Sequence, residues 1–174
     1  MKNKRLTVCG VWYSVPKEEI QYPVDMRLII RPDFDEMSEW AARYLKQRIN
    51  QFAPTASKPF VIGLPTGGTP MGVYKKLVSY HAKGELSFQH VITFNMDEYV
   101  GLDKDHDQSY HKFMWDNLFK HVDIQPKNVN ILNGRPEGYA DDLPLEEKLK
   151  ILELECVDYE RRILAAGGHI TTPG

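Results

Sequence analysis

Four short runs of apolar and β-branched residues recur along the chain and predict strands. The runs Pro59–Pro65 and Val91–Met96 are continuous, as expected for strands that are buried on both faces. Met26–Arg31 is a further β-rich run, and Val129–Leu132 is a fourth, closed by the turn pair Asn133-Gly134.

Stretches in which apolar residues are spaced by three and four lie between these runs and predict helices. One stripe extends from Phe34 to Phe52, and either Asp33 or Asp35 can cap its exposed amides. Another stretch contains Tyr110 to Phe119, with Ser109 as its cap.

The alternation of strands and helices predicts an α/β layer fold with a parallel sheet. Ligands of such sheets bind beyond the carboxyl ends of the strands. Two segments therefore stand out, the loop Thr66–Pro70 and the residues that follow Met96.

A long helix is predicted after Pro144 from a stripe of spacings four and three between Leu145 and Ile163, with Gly167-Gly168 as its stop. A coiled-coil or partner-binding seam would produce this stripe, and so would packing on the chain's own sheet. The stripe spans fewer than three heptads, which favours packing on the sheet.

The loop Gly63–Pro70 joins a predicted strand to a helix predicted from Met71 to His81, with Thr69 as N-cap and Pro70 as first helical residue. Its glycines let backbone amides approach an anion at the helix N-terminus. It is not a nucleotide P-loop, because Thr69 replaces the lysine. The glycines alone would also make a tight turn, but the flanking threonine hydroxyls favour the anion site.

Asp97 and Glu98 directly follow the strand Val91–Met96, at the predicted ligand edge. A carboxylate at a half-buried edge can have a raised pKa and shuttle a proton. The structural alternative is that Asp97 caps the following turn while Glu98 is solvated. Position alone does not separate the two interpretations.

Composition narrows the range of partners. The chain has 22 basic and 24 acidic residues, so its net charge of -2 gives no reason to expect nucleic acid or an anionic membrane. Cys9 and Cys156 form neither a disulfide framework nor a zinc site. The aspartates of Asp103–Asp107 lack the glycine and glutamate of a calcium loop, and the histidines lack metal-ligand spacing. We predict no metal site.

The stretch Met1–Trp12 has basic and apolar parts that weakly resemble a signal peptide, but the apolar part is short and no cleavage site follows. No apolar run approaches the roughly 20 residues of a membrane helix. We expect a cytoplasmic protein without a membrane partner.

The two loops and their neighbours form long, specific strings: Gly63-Leu-Pro-Thr-Gly-Gly-Thr-Pro70, Thr93-Phe-Asn-Met-Asp-Glu-Tyr-Val-Gly-Leu102, Ser109-Tyr110 and Phe113-Met114. Together they closely resemble the glucosamine-6-phosphate deaminase family. The resemblance runs from about Met26 to Gly134 and resumes from Glu155-Cys156 to Gly168. It implies a Rossmann-like parallel sheet with helices on both faces.

The resemblance also implies an activity in amino-sugar metabolism and N-acetylglucosamine catabolism. The family, an isomerase and hydrolase, converts glucosamine 6-phosphate to fructose 6-phosphate and ammonia without metal or organic cofactor. By match to the motif, Asp97 is the catalytic base that moves a proton between C2 and C1. Thr66, Gly67, Gly68 and Thr69 line the sugar-phosphate site, and the protein is expected to be a homo-oligomer.

The chain departs from the family in three segments. Residues 1–25 precede the usual start, and we predict that they form a poorly structured extension, which argues against allosteric regulation through the chain start. Arg135–Leu154 replaces a shorter linker. The family's D-G-H-I-A-F-N-E motif is absent, and in the irregular tail, 169–174, His169 lacks that motif's carboxylate partners. We therefore expect residues 26–168 to form an incomplete, C-terminally truncated sugar-phosphate isomerase/deaminase-like domain.

Two functions stay open on the sequence. One is the deaminase itself. The other is a truncated, weakly active or inactive form that binds sugar phosphate or associates with full-length subunits. A related isomerase or lactonase on the same fold is a third possibility, against which the string T-F-N-M-D-E-Y argues.

Overall fold

The structure, a computed structural model, describes residues 28–167. The predicted extension 1–25 and the tail 169–174 lie outside these residues, as does the start of the predicted strand Met26–Arg31. The rest of that run has no regular structure, and Leu28 and Ile30 are 75% and 80% exposed. The strand prediction is therefore wrong for residues 28–31, because a β-rich run forms a strand only where it can pair and pack.

Helices and strands alternate along the described chain, as the apolar pattern predicts. In order, they are α1 (Phe34–Phe52), β1 (Phe60–Leu64), α2 (Met71–Ala82), β2 (Val91–Asn95), α3 (Tyr110–Asn117), β3 (Val129–Asn130) and α4 (Leu145–Ala165). Short 3-10 turns lie at Phe119–His121 and Pro126–Asn128. β3 is half the length predicted, because only two residues of β2 pair with it.

The strands form a parallel sheet in the order β1-β2-β3. The register pairs Phe60 with Val91 at one end and Leu64 with Asn95 at the other. The carboxyl ends of β1 and β2 are therefore level, and the two loops that follow them leave the sheet side by side.

Each face of the sheet carries helices, as the resemblance implies. One face packs on α1, α2 and α3 through a buried cluster that includes Leu64 and Val91. On the other face, the ring of Tyr159 in α4 meets Phe94 edge-on at a centroid distance of 5.6 Å. The Tyr159 hydroxyl also donates to the Asn95 carbonyl at 2.6 Å, which ties α4 to the end of β2.

Two of the predicted helix caps are confirmed. The Asp33 carboxylate accepts a hydrogen bond from the Glu36 amide at 2.8 Å, at the start of α1. The Ser109 hydroxyl accepts from the His111 amide at 3.1 Å, at the start of α3. Local sequence therefore determined where these helices begin.

The cap predicted for α2 is wrong. The helix begins at Met71, the start of the predicted range, but Pro70 is the N-cap residue rather than the first helical residue, and Thr69 lies before the cap. The Pro70 carbonyl already accepts the first helical bond, from the Tyr74 amide at 3.0 Å. Thr69 is left exposed in the loop.

The second part of the apolar stripe of α4 packs on the chain's own sheet. Leu152 and Tyr159 are buried, which confirms the favoured interpretation for this part of the helix. The first turns differ, because Leu145 and Leu149 are 68% and 45% exposed.

Candidate functional site

The loops that contain Thr66 and Asp97 emerge at neighbouring positions of the sheet. Leu64 and Asn95 are the last paired residues of β1 and β2, so Thr66 and Asp97 each lie two residues beyond the pairing. The Asn95 side-chain amide donates to the Leu64 carbonyl at 2.9 Å and joins the two strand ends. The sheet thus brings together the two segments that the ligand-edge rule selects.

The loop Thr66–Thr69, called the glycine loop below, faces open space. Gly67 has a φ of +103°, a conformation that residues with a side chain rarely adopt. A Cβ atom at Gly67 or Gly68 would meet no other atom within 4 Å. Because α2 begins just after this loop, its first amides and its dipole favour an anion here.

The Asp97 carboxylate accepts no hydrogen bond within the described part of the chain. No group of residues 28–167 donates to it, and the residue is exposed. Partial loss of water around the carboxyl group nevertheless raises the pKa of Asp97, and the charge of Glu98 adds to this effect. Such a carboxylate can accept and return a proton more readily than one held by hydrogen bonds.

Glu98 has the opposite environment. Its carboxylate accepts hydrogen bonds from the amides of Tyr99, Tyr110 and His111 at 2.8–2.9 Å. It also accepts from the Ser109 hydroxyl at 2.8 Å. Glu98 therefore caps α3, and the structural alternative drawn from the sequence, with Asp97 as cap and Glu98 in solvent, is reversed.

Tyr110 connects the glycine loop with Asp97, and sequence reasoning did not assign it a role. Its hydroxyl donates to that of Tyr99 at 3.2 Å, and this bond raises the pKa of Tyr110 most. Burial and the negative charge of Asp97 raise it further, whereas the influence of the Thr66 side chain lowers it. The available signal was its place directly after the Ser109 cap.

A groove of about 500 Å³ opens between the sheet and α4. Val61, Phe94 and Ile163 contribute to its mostly apolar lining. This lining does not suit an anionic polyol, so the groove is not the site that the two loops define.

Residues 28–167 contain no group of three or more histidine, cysteine or acidic side chains arranged to hold a metal ion. Across that same stretch, each helix is too short or too polar to cross a bilayer.

The chain is an α/β protein in which a glycine-rich loop and an exposed carboxylate lie side by side at the carboxyl ends of parallel strands, the edge at which proteins of this class bind their ligands. Residues 32–167 match the family described as glucosamine-6-phosphate isomerases/6-phosphogluconolactonase. The chain belongs to this family.

Several relatives are named glucosamine-6-phosphate deaminase. That of Parabacteroides distasonis is 54% identical over 143 residues, which are 82% of this chain and 48% of the relative. That of Actinobacillus pleuropneumoniae is 59% identical over 126 residues, which are 72% of this chain and 47% of the relative. The chain therefore spans about half the length of these relatives.

Solved structures agree with the fold. A monomeric glucosamine-6-phosphate deaminase is 37% identical and superposes with a TM-score of 0.68, over 82% of this chain and 52% of that one. A 6-phosphogluconolactonase from Trypanosoma cruzi, at 21% identity, has a TM-score of 0.61 over 84% of this chain and 52% of that one. The Rossmann-like fold and the family predicted from the sequence are confirmed.

Proposed function

We propose that the chain acts on glucosamine 6-phosphate as a deaminase, giving fructose 6-phosphate and ammonia. The observation that supports this most is the meeting of Thr66, Asp97 and Tyr110 at one edge of the sheet. An anion-binding loop and a carboxylate with a raised pKa are the two elements that a sugar-phosphate isomerase needs. The names of the relatives support the same substrate.

The chemistry requires one base that reaches two adjacent carbons. In the open-chain sugar, the Asp97 carboxylate takes the C2 proton, and the electrons of that C–H bond form a C1–C2 double bond as the C1 oxygen gains a proton. Return of the first proton to C1 leaves an iminium group at C2. Water then adds at C2 and ammonia leaves, so the net reaction is both an isomerisation and a hydrolysis.

The glycine loop would hold the substrate. The amides of Gly67 and Gly68 and the hydroxyls of Thr66 and Thr69 can donate hydrogen bonds to the phosphate or to sugar hydroxyls. The pKa of Tyr110 responds to both Thr66 and Asp97, so we propose that its hydroxyl contacts the bound sugar. Every step uses protein groups, substrate and water, so the proposal includes no cofactor.

Exchange of the C2 proton in deuterated water tests this proposal. Asp97→Asn should slow the exchange by roughly 100- to 10,000-fold, as expected for loss of a positioned base. Asp107→Asn is the matched control, because the Asp107 side chain is 94% exposed and should leave the rate unchanged. Exchange in Asp97→Asn within twofold of wild type would exclude Asp97 as the base.

The alternative of a binding form makes a different prediction. Such a chain would bind glucosamine 6-phosphate in calorimetry yet release no ammonia and exchange no C2 proton. Light scattering, with and without a full-length relative, would show whether the chain forms the homo-oligomer that the resemblance implies. A cytoplasmic location is part of the same proposal and can be checked by fractionation.

A further inference from the structure

A segment that follows β3 crosses the loop that carries Asp97. We call residues 133–141 the strap and residues 96–102 the Asp97 loop. The Gly101 amide donates to the Gly134 carbonyl at 2.8 Å, and the Arg135 guanidinium donates to the Gly101 carbonyl at 2.9 Å. Both backbone groups of Gly101 are thus bonded to the strap.

The strap and the Asp97 loop also touch backbone to backbone. Gly134 is buried, and a Cβ atom there would stand 2.2 Å from the Tyr99 carbonyl oxygen and 3.0 Å from that of Leu102. Only glycine permits this approach, so the strap can lie directly on the loop.

Arg135 is held on its other side by the strap itself. Its guanidinium bonds the Asp141 carboxylate at 3.0 Å and lies 5.5 Å from the centre of the Tyr139 ring. The strap is anchored to α4, where the Glu155 carboxylate accepts from the Asn133 amide at 3.0 Å. Arg135 therefore joins a fixed segment to the Asp97 loop.

We propose that Arg135 is a positioning residue that fixes the Asp97 loop through the carbonyl of Gly101. Its role in turnover rests on the proposed function, whereas its hold on the loop does not. The guanidinium presents five donors in a rigid fork, so one side chain can bond a carbonyl and a carboxylate at once.

Loss of this contact should act on chemistry more than on binding. The glycine loop does not depend on the strap, so the substrate would still be held. The carboxylate of Asp97 would lose its fixed place, and a misplacement of about 1 Å can cost on the order of 100-fold in rate.

The experiment compares Arg135→Ala, Arg135→Lys and the control Arg161→Ala, whose side chain is 71% exposed in a pair with Asp158. Hydrogen exchange of the amides of residues 97–101 measures the loop, and steady-state kinetics with glucosamine 6-phosphate measure the chemistry. In Arg135→Ala we expect loop exchange about tenfold faster, kcat about 10- to 100-fold lower and KM within threefold of wild type. Lysine, which can reach one acceptor but not both, should recover part of kcat.

Three results would overturn the proposal. Unchanged exchange of residues 97–101 in Arg135→Ala would show that Arg135 does not hold the loop. Faster exchange with an unchanged kcat, or a lower melting temperature alone, would make the role purely structural. An equal effect of Arg161→Ala would make it nonspecific.

The proposed function can fail separately. If the wild-type protein does not turn over glucosamine 6-phosphate, the deaminase proposal is contradicted. The role of Arg135 is then tested by amide hydrogen exchange of the Asp97 loop together with an NMR titration of the Asp97 carboxyl group. Faster amide exchange of residues 97–101 in Arg135→Ala, together with unchanged amide exchange in α2 and a lower pKa of Asp97, supports the proposal that Arg135 positions the Asp97 loop. No change in either measurement contradicts it.

Discussion

The two loops of the candidate site are held in opposite ways. The glycine loop is exposed at Gly67, Gly68 and Thr69 and has open space around its glycines. The Asp97 loop is tied on two sides, to α3 through Glu98 and to the strap through Gly101. A loop that binds through its backbone needs only the right conformation, whereas a loop that presents one carboxylate must be fixed in place.

The same contrast separates two adjacent acidic residues, Asp97 and Glu98. Asp97 accepts no hydrogen bond from residues 28–167, while its neighbour Glu98 accepts four. The fixed carboxylate of Glu98 holds the backbone, and that of Asp97 stays available for the proton transfer that we propose. This difference predicts that substitutions of Asp97 and Glu98 change the free energy of unfolding in opposite directions.

The largest effect on stability is expected at Glu98. Glu98→Ala removes a charged cap and leaves the amides of Tyr99 and Tyr110 without their acceptor, while the His111 amide keeps only the Ser109 hydroxyl. We therefore expect a loss of about 2 kcal/mol in the free energy of unfolding. Urea unfolding followed by circular dichroism measures it. Glu36→Ala, in the exposed first turn of α1, is the control and should stay within about 0.5 kcal/mol of wild type. A loss at Glu98 no greater than this would mean that the Asp97 loop does not depend on its cap.

Substitutions of three glycines, two in the glycine loop and Gly84 outside it, distinguish conformational strain from ligand contact. Gly67 and Gly84 both have positive φ and open space around them, whereas Gly68 has the open space alone. Alanine should cost about 1–2 kcal/mol of stability at Gly67 and Gly84 and much less at Gly68. Binding of glucosamine 6-phosphate, measured by calorimetry, should weaken at Gly67 and Gly68 but not at Gly84. Equal weakening at all three positions would refute a contact specific to the loop.

Much of the fold could be predicted because its signals are local. The apolar runs at β1 and β2 and the caps Asp33 and Ser109 are each a matter of a few neighbouring residues. The side-by-side exit of the two loops also followed, since parallel strands place their carboxyl ends together.

What could not be predicted depends on residues that are distant in sequence. One of the two interpretations left open placed Glu98 in solvent, because its partners lie 11 to 13 positions away, in Ser109, Tyr110 and His111. The strand predicted at Met26–Arg31 is wrong over residues 28–31 for a related reason. Its composition suits a strand, but pairing is a property of the neighbours that a strand finds.

A smaller effect is expected at Tyr110, which links the two loops. Tyr110→Phe removes the hydroxyl and keeps the ring against Tyr99, so binding of glucosamine 6-phosphate should weaken by about 1 kcal/mol, or roughly fivefold. Tyr80→Phe is the matched control, because that hydroxyl donates to Glu39 on α1 and lies outside the two loops. Calorimetry that finds equal binding by Tyr110→Phe and wild type would show that the loops meet without using this hydroxyl.

The smallest effect on stability is expected at Asp97, and it depends on pH. Because the folded state raises the pKa of Asp97, its ionised form costs stability, and this cost grows as pH rises from the ordinary value of 3.8 through the raised one. Asp97→Asn removes the charge, so the variant should be slightly more stable than wild type at pH 7, by less than about 1 kcal/mol since water screens an exposed group. The advantage should vanish in acid, below the ordinary value, where wild type is protonated as well. Paired urea titrations at both pH values measure the difference. A variant that is less stable than wild type at pH 7 would mean that Asp97, like Glu98, supports the fold, and the two carboxylates would no longer have separate tasks.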